Sequence, residues 1–126
     1  TTLFRSHFKD CLPTILRGFP PSMAALARLT EDGWADRMEF YWAGLEIANG
    51  FHEVNDPVEQ EKRWQLELEE RKHLGTSLVP ADPDLIEHMK MGMPPAGGIA
   101  LGLERLFMAL YGVENIRSTR LFGSPS

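Results

Sequence analysis

The sequence predicts an α+β domain in which an antiparallel sheet is flanked by helices. Two strand candidates, Met38–Trp42 and Leu45–Asn49, are rich in aromatic and β-branched residues and are separated by a turn at Ala43-Gly44. Asp-Pro dipeptides at 56–57 and 82–83 predict the starts of two helices, each with an acid as N-cap and proline at the first helical position. The last third, GMPPAGGIALGLERLFMALYG, predicts a glycine-punctuated apolar strand followed by a helix.

Shorter elements precede the predicted hairpin. Apolar residues near helical spacing among the first ten residues favour a short helix before Pro13. Thr14–Leu16 reads as a short strand, and Ser22–Leu29 as a loop or single turn. Between them, Gly18-Phe19-Pro20-Pro21 forces an extended, irregular passage of the chain.

The helices have recognisable ends. The first has Asp56 as its N-cap and ends near Gly75, and the second runs through Met89 and ends at Gly92. We expect the last strand at 97–101 and the last helix at about 102–111, with a further glycine as its stop. On the first helix, two glutamate–arginine pairs are spaced for salt bridges on a solvated face: Glu59/Arg63 and Glu67/Arg71.

Composition limits the possible functions. At 126 residues we expect one domain, 1–126. The net charge of -5, with no run of Lys or Arg, argues against a nucleic-acid-binding surface built on this chain. Cys11 is the single cysteine, so no internal disulfide forms, which suits a reducing cytoplasm. No stretch approaches the length of a membrane span, so we expect a cytoplasmic protein.

The acids of the predicted hairpin stand in an apolar segment, where burying a charge costs free energy. Glu39, Glu46 and Glu53 recur at seven-residue intervals in a segment that is otherwise apolar and aromatic. A tight hairpin centred on Ala43-Gly44 is expected to place Glu39 directly across from Glu46 on one face. Like charges in that position are destabilising, but they are tolerable if a divalent cation sits between them. The alternative is that the acids pair with arginines: Arg37 or Arg28.

The third acid needs an irregular strand. Strict alternation from Glu46 points Asn49, Phe51 and Glu53 to the opposite face of the sheet. For all of them to reach one pocket the strand must bulge, and we expect Gly50 to permit the bulge.

Two long segments carry a resemblance to a known family. GGIALGLERLFM, within the strand and helix at about 97–111, resembles the third signature motif of the class II aminoacyl-tRNA synthetases. DRMEFYWAGLEIANGFHEVND is similar to a segment of the lysyl-tRNA synthetase group that usually reads ERFE, then GEIANAFSELND. The resemblance covers most of the chain from about Phe19 to Arg117. It implies part of a class II catalytic core, namely the C-terminal half.

Finer details favour a branch of that group. Ala100, where lysyl enzymes generally have glycine, the string ANGFHE, and PPSMAALAR near Pro20 look like the elongation factor P lysine ligases. Met23 departs from that pattern, since these ligases tend to have glutamine there. The resemblance implies that the alanine methyl of Ala100 reshapes the floor of the substrate pocket, a steric change worth about 1–3 kcal/mol.

The resemblance also implies roles for the site residues. Glu39 and Glu46 would hold the magnesium ions that bridge the ATP phosphates, and Glu53 would receive the ammonium end of a lysine-like substrate. Asn49 would orient the substrate amino group or carboxylate, and Phe51 would pack on its aliphatic stem. The ATP site would be completed by an arginine for the γ-phosphate and three glycines under adenine and ribose: Arg105, Gly97, Gly98 and Gly102.

The implied activity is ATP-dependent activation of lysine or (R)-β-lysine as an aminoacyl-adenylate, followed by transfer to an amine of elongation factor P. Arg105 and Glu46 are the expected catalytic residues. Two alternatives stay open: a catalytic fragment of a lysyl-tRNA synthetase that charges tRNA, and a non-catalytic synthetase-like module. The family's first and second motifs are absent from the sequence. We therefore expect the chain alone to be inactive, with a homodimer or a partner chain supplying them.

Overall fold

The computed structural model describes residues 12–80 and 82–120. In them, four antiparallel strands form one sheet in the order β1-β2-β3-β4: Thr14–Phe19, Ala35–Trp42, Leu45–His52 and Gly97–Leu101. The α-helices of the same part of the chain are α1, α2 and α3: Pro57–Leu74, Pro83–Lys90 and Leu103–Tyr111. The predicted class, an antiparallel sheet flanked by helices, is confirmed. The helix predicted before Pro13 lies outside the described residues.

Local signals placed the helix ends correctly. The Asp56 carboxylate accepts hydrogen bonds from two backbone N–H groups of the first turn of α1, and the Asp82 carboxylate accepts one from Asp84 at the start of α2. Gly75 and Gly112 end α1 and α3 in the left-handed conformation, with φ of 64° and 66°. Both predicted ion pairs form along α1: Glu59–Arg63 at 2.9 Å and Glu67–Arg71 at 2.8 Å.

The central hairpin joins β2 to β3 at the predicted turn, and both strands are longer than predicted. The two turn residues, Ala43 and Gly44, have φ of 49° and 74°. Positive φ at both positions is what a two-residue turn of type I′ requires, because its twist matches that of the flanking strands. Alanine is a strained choice for the first position, since its Cβ disfavours positive φ.

The register of this hairpin corrects one expectation. Glu39 lies opposite Asn49, while Glu46 lies opposite Tyr41, so the predicted Glu39–Glu46 pairing is wrong. The two-residue turn by itself sets Tyr41 against Glu46. Beyond it, Phe40 pairs with Ala48, which leaves Ile47 as an extra residue in β3 and displaces the register.

The expected bulge of β3 is therefore present, but at Ile47 and not at Gly50. Gly50 has another role, because a Cβ there would lie 3.1 Å from the carbonyl oxygen of Gly98 and 3.2 Å from Cβ of Ile99. Both neighbours belong to β4. The missing side chain of Gly50 allows β4 to approach β3 closely.

A small core covers one end of the sheet. Phe19, at the end of β1, packs with the alanines Ala24, Ala27 and Ala35. Two of these alanines come from the segment 20–29, which begins with a 3-10 turn at Pro21–Met23. Arg63 of α1 holds that segment by donating hydrogen bonds to two of its carbonyl oxygens, those of Ala25 at 3.0 Å and Ala27 at 2.7 Å. The segment predicted as a loop is thus fixed against the sheet.

The turn strain can be tested by substitution. Ala43→Asn is expected to raise the free energy of unfolding by about 0.5–1 kcal/mol, because asparagine tolerates positive φ and Asn-Gly is the preferred type I′ pair. Urea unfolding followed by circular dichroism measures the change. Ala96→Asn is the control, since Ala96 is also exposed and has no positive φ. Equal stability of Ala43→Asn and the unmodified chain would contradict the assignment of strain.

Candidate active site

The bulge at Ile47 gathers most of the predicted site residues on one face of the sheet. Residues directly opposite each other in antiparallel strands share a face, as do residues two apart on one strand. Glu39 faces Asn49, Asn49 faces Ala100, and Phe51 faces Gly98. We call this side the front face and the other side the back face. The front-face residues of β2, β3 and β4 are Arg37, Glu39, Tyr41, Glu46, Asn49, Phe51, Gly98 and Ala100.

Glu39 is a buried acid at the centre of this face, with 7% of its surface exposed. Its Oε2 accepts a hydrogen bond from the Tyr41 hydroxyl at 2.6 Å, and its Oε1 accepts one from Nη2 of Arg37. The ion pair with Arg37 is one of the alternatives that the sequence left open. Both carboxylate oxygens therefore have a donor, which offsets the cost of burying the charge.

Asn49 and Phe51 follow the bulge on β3. The side-chain oxygen of Asn49 accepts a hydrogen bond from Nε of Arg37 at 3.3 Å. Phe51 packs against the core formed by Phe19 and the three alanines. An amide, held through its side-chain oxygen, and an apolar ring packed on the core thus stand two residues apart on the front face.

Glu53 lies just beyond the end of β3 and still reaches the front face. Its backbone N–H donates to the carbonyl oxygen of Ala96 at 2.9 Å, and its backbone also bridges to Ala27. A Cβ placed on Gly98 would lie 3.6 Å from Oε1 of Glu53. The carboxylate therefore lies beside the bare backbone of Gly98, across from Phe51.

Arg105, in the first turn of α3, lies close to Glu46. Its Nη1 donates to the backbone oxygen of Glu46 at 3.0 Å, and its side chain is exposed. The N–H of Gly102 donates to the carbonyl oxygen of Ile47 at 2.9 Å, which fixes the start of α3 against the bulge. The two predicted catalytic residues, Arg105 and Glu46, are thus brought together by a contact to main chain.

The two glycines that begin β4 do not share one face. Gly98 is on the front face, whereas Gly97 lies opposite His52 on the back face. A Cβ on Gly97 would be 3.2 Å from Cδ2 of the His52 ring, whose Nδ1 lies 2.7 Å from Oδ2 of Asp36. Gly97 therefore makes room for this histidine, and only its backbone is available to a ligand on the front.

The described residues do not by themselves form a complete metal site. Residues 12–80 and 82–120 contain no group of three or more His, Cys, Asp or Glu side chains able to hold a metal ion. Magnesium is commonly held by one or two carboxylates together with the phosphates of its nucleotide, so the pair Glu39 and Glu46 stays a prediction.

Sequence reasoning undervalued two residues of this site. Arg37 entered only as an alternative partner for the acids, and Tyr41 only as an aromatic residue of the strand. Both stand two positions from Glu39 on a strand, and this spacing alone puts all three side chains on one face. That period was the available signal for the network.

With the site described, comparison with known proteins places the chain. Residues 9–126 match the family described as tRNA synthetases class II (D, K and N). The chain belongs to the class II tRNA synthetase family. The predicted resemblance is confirmed, and the four-stranded sheet with its helices is consistent with part of a class II synthetase domain.

One curated relative of this class II synthetase chain is the elongation factor P--(R)-beta-lysine ligase of Vibrio atlanticus (strain LGP32). The two are 41% identical over 116 residues, which is 90% of this chain and 36% of that protein. The chain thus spans about a third of the relative's length. None of the helices within the described residues is both long and apolar enough to cross a membrane.

The Tyr41–Glu39 hydrogen bond should contribute measurably to stability. Tyr41→Phe is expected to lower the free energy of unfolding by about 1.5–3 kcal/mol, because it leaves a buried charged oxygen without its donor. Chemical unfolding measures this. Tyr111→Phe is the matched control, since Tyr111 is 70% exposed. If the two variants lose the same small amount, Glu39 does not depend on the hydroxyl.

Glu104, beside the predicted catalytic arginine, should make stability depend on pH. A hydrogen bond to its own backbone and the nearby Arg120 guanidinium hold its pKa below the ordinary value of 4.5. Because the folded-state pKa is lowered, its contribution is present above pH 4.5 and is lost as the pH falls through the folded value. Glu104→Gln is therefore expected to be slightly less stable at pH 7, and the difference should vanish in acid. Unfolding curves between pH 7 and 3 test this, with Glu114→Gln as control; a difference independent of pH would contradict it.

Proposed function

We propose that the chain is part of an ATP-dependent ligase that activates lysine or (R)-β-lysine as an aminoacyl-adenylate and transfers it to an amine of elongation factor P. The front face is the observation that carries the proposal. It groups three acids, an amide and an aromatic ring around bare glycine backbone, a set suited to a substrate with an ammonium group, an aliphatic stem and a carboxylate. The relative that bears this ligase's name adds independent support.

The proposed reaction has two steps. A carboxylate oxygen of the amino acid attacks the α-phosphorus of ATP, the bond to pyrophosphate breaks, and an acyl-adenylate forms. The acceptor amine then attacks the acyl carbonyl, AMP leaves with the former carboxylate oxygen, and the amine loses a proton. Neither step needs a covalent protein nucleophile, so catalysis rests on positioning and on neutralising phosphate charge.

The roles of the amino-acid site follow from the chemistry of its side chains. Glu53, beside Gly98, would receive the substrate ammonium group, and Phe51 would pack on the stem. Asn49 would bind near the end of the substrate that carries the reacting carboxylate. Ala100 lies directly across from Asn49 and would place a methyl group on the floor of the amino-acid site.

The nucleotide would lie along β4 and the start of α3. Gly98 and Gly102 would leave space for the adenine and ribose, with the backbone of Gly97 beside them. Arg105 is exposed and rests on a main-chain oxygen, so it can turn to a γ-phosphate at the cost of one hydrogen bond. A guanidinium suits that role because it binds phosphate through paired donors.

Magnesium fits the donor set of this site. Glu39 and Glu46 are hard oxygen ligands on one face, and the front face leaves the remaining ligands to phosphates and water. A bound magnesium ion would supply neutralisation of phosphate charge. Within that arrangement Glu46 lies nearer to Arg105, while Glu39 is also held by Arg37 and Tyr41.

Transfer to tRNA is the second candidate, because the matching family includes the lysine-specific synthetases and the same front-face residues would activate α-lysine. A non-catalytic module is the third. It is disfavoured by the set of acids, amide and arginine grouped around one bare backbone surface. The amino acid preferred, and the acceptor used, distinguish the first two.

We further propose that a homodimer contact or a partner chain supplies the remainder of a class II core, and that the activity is cytoplasmic. The 126 residues match about a third of the relative, so the rest of a class II core lies outside them. The sequence has a single cysteine, Cys11, and such sparse use of cysteine is usual in reducing compartments, which supports the second point.

Binding of magnesium-ATP tests the nucleotide site. Thermal unfolding of the chain is expected to shift upward with magnesium and ATP together, since a ligand at ten times its Kd adds about 1.4 kcal/mol. Glu46→Gln should abolish the shift that depends on magnesium, and Glu31→Gln, an exposed loop acid, should keep it. A shift that survives in Glu46→Gln would remove this residue from the metal site.

Adenylate formation tests the chemistry. The chain is incubated with magnesium-ATP and either α-lysine or (R)-β-lysine, and aminoacyl-adenylate is sought by mass spectrometry. The chain alone is expected to yield none, because the family's second motif, which grips the α-phosphate, is absent from its sequence. Product would contradict that expectation, and the preferred lysine would then separate the ligase from the tRNA enzyme.

A further inference from the structure

Arg37 makes several polar contacts on the front face, although it has no role in the proposed chemistry. Its side chain is 13% exposed, and its guanidinium lies 4.7 Å over the ring of Phe19. Three of its nitrogens donate to three different acceptors. They are Oδ1 of Asn49 at 3.3 Å, the carbonyl oxygen of Met23 at 2.7 Å, and Oε1 of Glu39.

These contacts determine the orientation of the Asn49 side-chain amide. A guanidinium has donors and no acceptor, so the amide of Asn49 must turn its oxygen toward Arg37. The NH₂ group of Asn49 is then directed away from the arginine. Asn49 is consequently prepared to donate a hydrogen bond through its NH₂ group, and one lone pair of its oxygen already accepts from Arg37.

The same contacts explain why an arginine is required. A planar guanidinium can stack on Phe19 while it donates in several directions within its plane. A lysine ammonium is a point charge on a flexible stem, and it cannot keep both Glu39 and Asn49 in this arrangement while covering the ring. The positive charge alone therefore does not reproduce the geometry.

We propose that Arg37 is a positioning residue that fixes Asn49 as a hydrogen-bond donor to an oxygen atom of the bound substrate. The inference rests on the proposed function and deepens it. Of the two substrate groups that Asn49 was expected to orient, an amino group or a carboxylate, the carboxylate is the one that accepts. Arg37 also donates to the carbonyl oxygen of Met23, which belongs to the segment 20–29. The position of that segment and the orientation of the Asn49 amide are therefore set together.

The first arm of the test uses no ligand. In ¹⁵N-labelled protein, the side-chain NH₂ signals of Asn49 are identified by their loss in Asn49→Asp. Arg37→Lys is expected to shift these signals strongly, whereas Arg28→Lys should leave them in place. Arg28 is the matched control because it pairs with Asp36 at 3.4 Å outside the front face. If both variants leave the Asn49 signals unchanged, the proposal is wrong whatever the ligands do.

The second arm compares lysine with cadaverine, which has the same stem and an ammonium group but lacks the carboxylate. The unmodified chain and Arg28→Lys are each expected to bind lysine more tightly than cadaverine. Arg37→Lys should lose about tenfold in lysine affinity and much less in cadaverine affinity. Equal losses for both ligands would mean that Arg37 serves only the fold, and would overturn the proposal.

The two arms separate failure of the inference from failure of the proposed function. If the unmodified chain binds neither amine, lysine recognition by this chain is wrong, and the proposal falls with it as far as the substrate is concerned. A shifted Asn49 signal in Arg37→Lys would then support only the positioning of the amide. If lysine binds with the expected preference and the Asn49 signals do not respond to Arg37→Lys, the function stands and the role of Arg37 falls.

Discussion

The extra residue at Ile47 is the constraint on which the rest of the site depends. In a regular strand, side chains alternate, and Glu46 would face away from Asn49 and Phe51. One inserted residue reverses that alternation, and acids, amide and ring then meet on one face. The carbonyl oxygen of the same residue accepts the N–H of Gly102, which begins α3. A single backbone irregularity thus aligns one half of the site and anchors the helix that carries Arg105.

A polar network on the front face holds several of its residues in place and contacts the small apolar core. Arg37 crosses from the ring of Phe19 to Glu39 and Asn49, and Tyr41 supplies the remaining donor to the acid. A buried charge survives here because it is paired and hydrogen-bonded. Such a network favours one arrangement of its members, since displacing one leaves another without a partner.

Sequence reasoning succeeded where the determinants are local. Asp56 and Asp82 cap their helices through hydrogen bonds to residues two or three positions away, and Gly75 has the positive φ that ends α1. The turn at Ala43-Gly44 was found for the same reason. The predicted Glu39–Glu46 pairing was wrong because a two-residue turn already sets Tyr41, and not Glu39, against Glu46. The bulge was placed at the wrong residue because neighbouring strands decide which residue of β3 is left unpaired. Arg37 was undervalued because its partner Met23 is distant in sequence and belongs to a segment without periodicity.

Gly50 gives the architecture one more property. Its absent side chain lets the backbone of β4 come within contact distance, and any larger residue would have to move that strand by a few tenths of an ångström. Gly98 and Ala100 belong to β4 and face Phe51 and Asn49, so the same movement would increase the distance between these front-face neighbours. The spacing of the front face is therefore set in part by a position on the back face of the sheet. A substitution at Gly50 can thus alter the proposed substrate surface without changing any side chain on it.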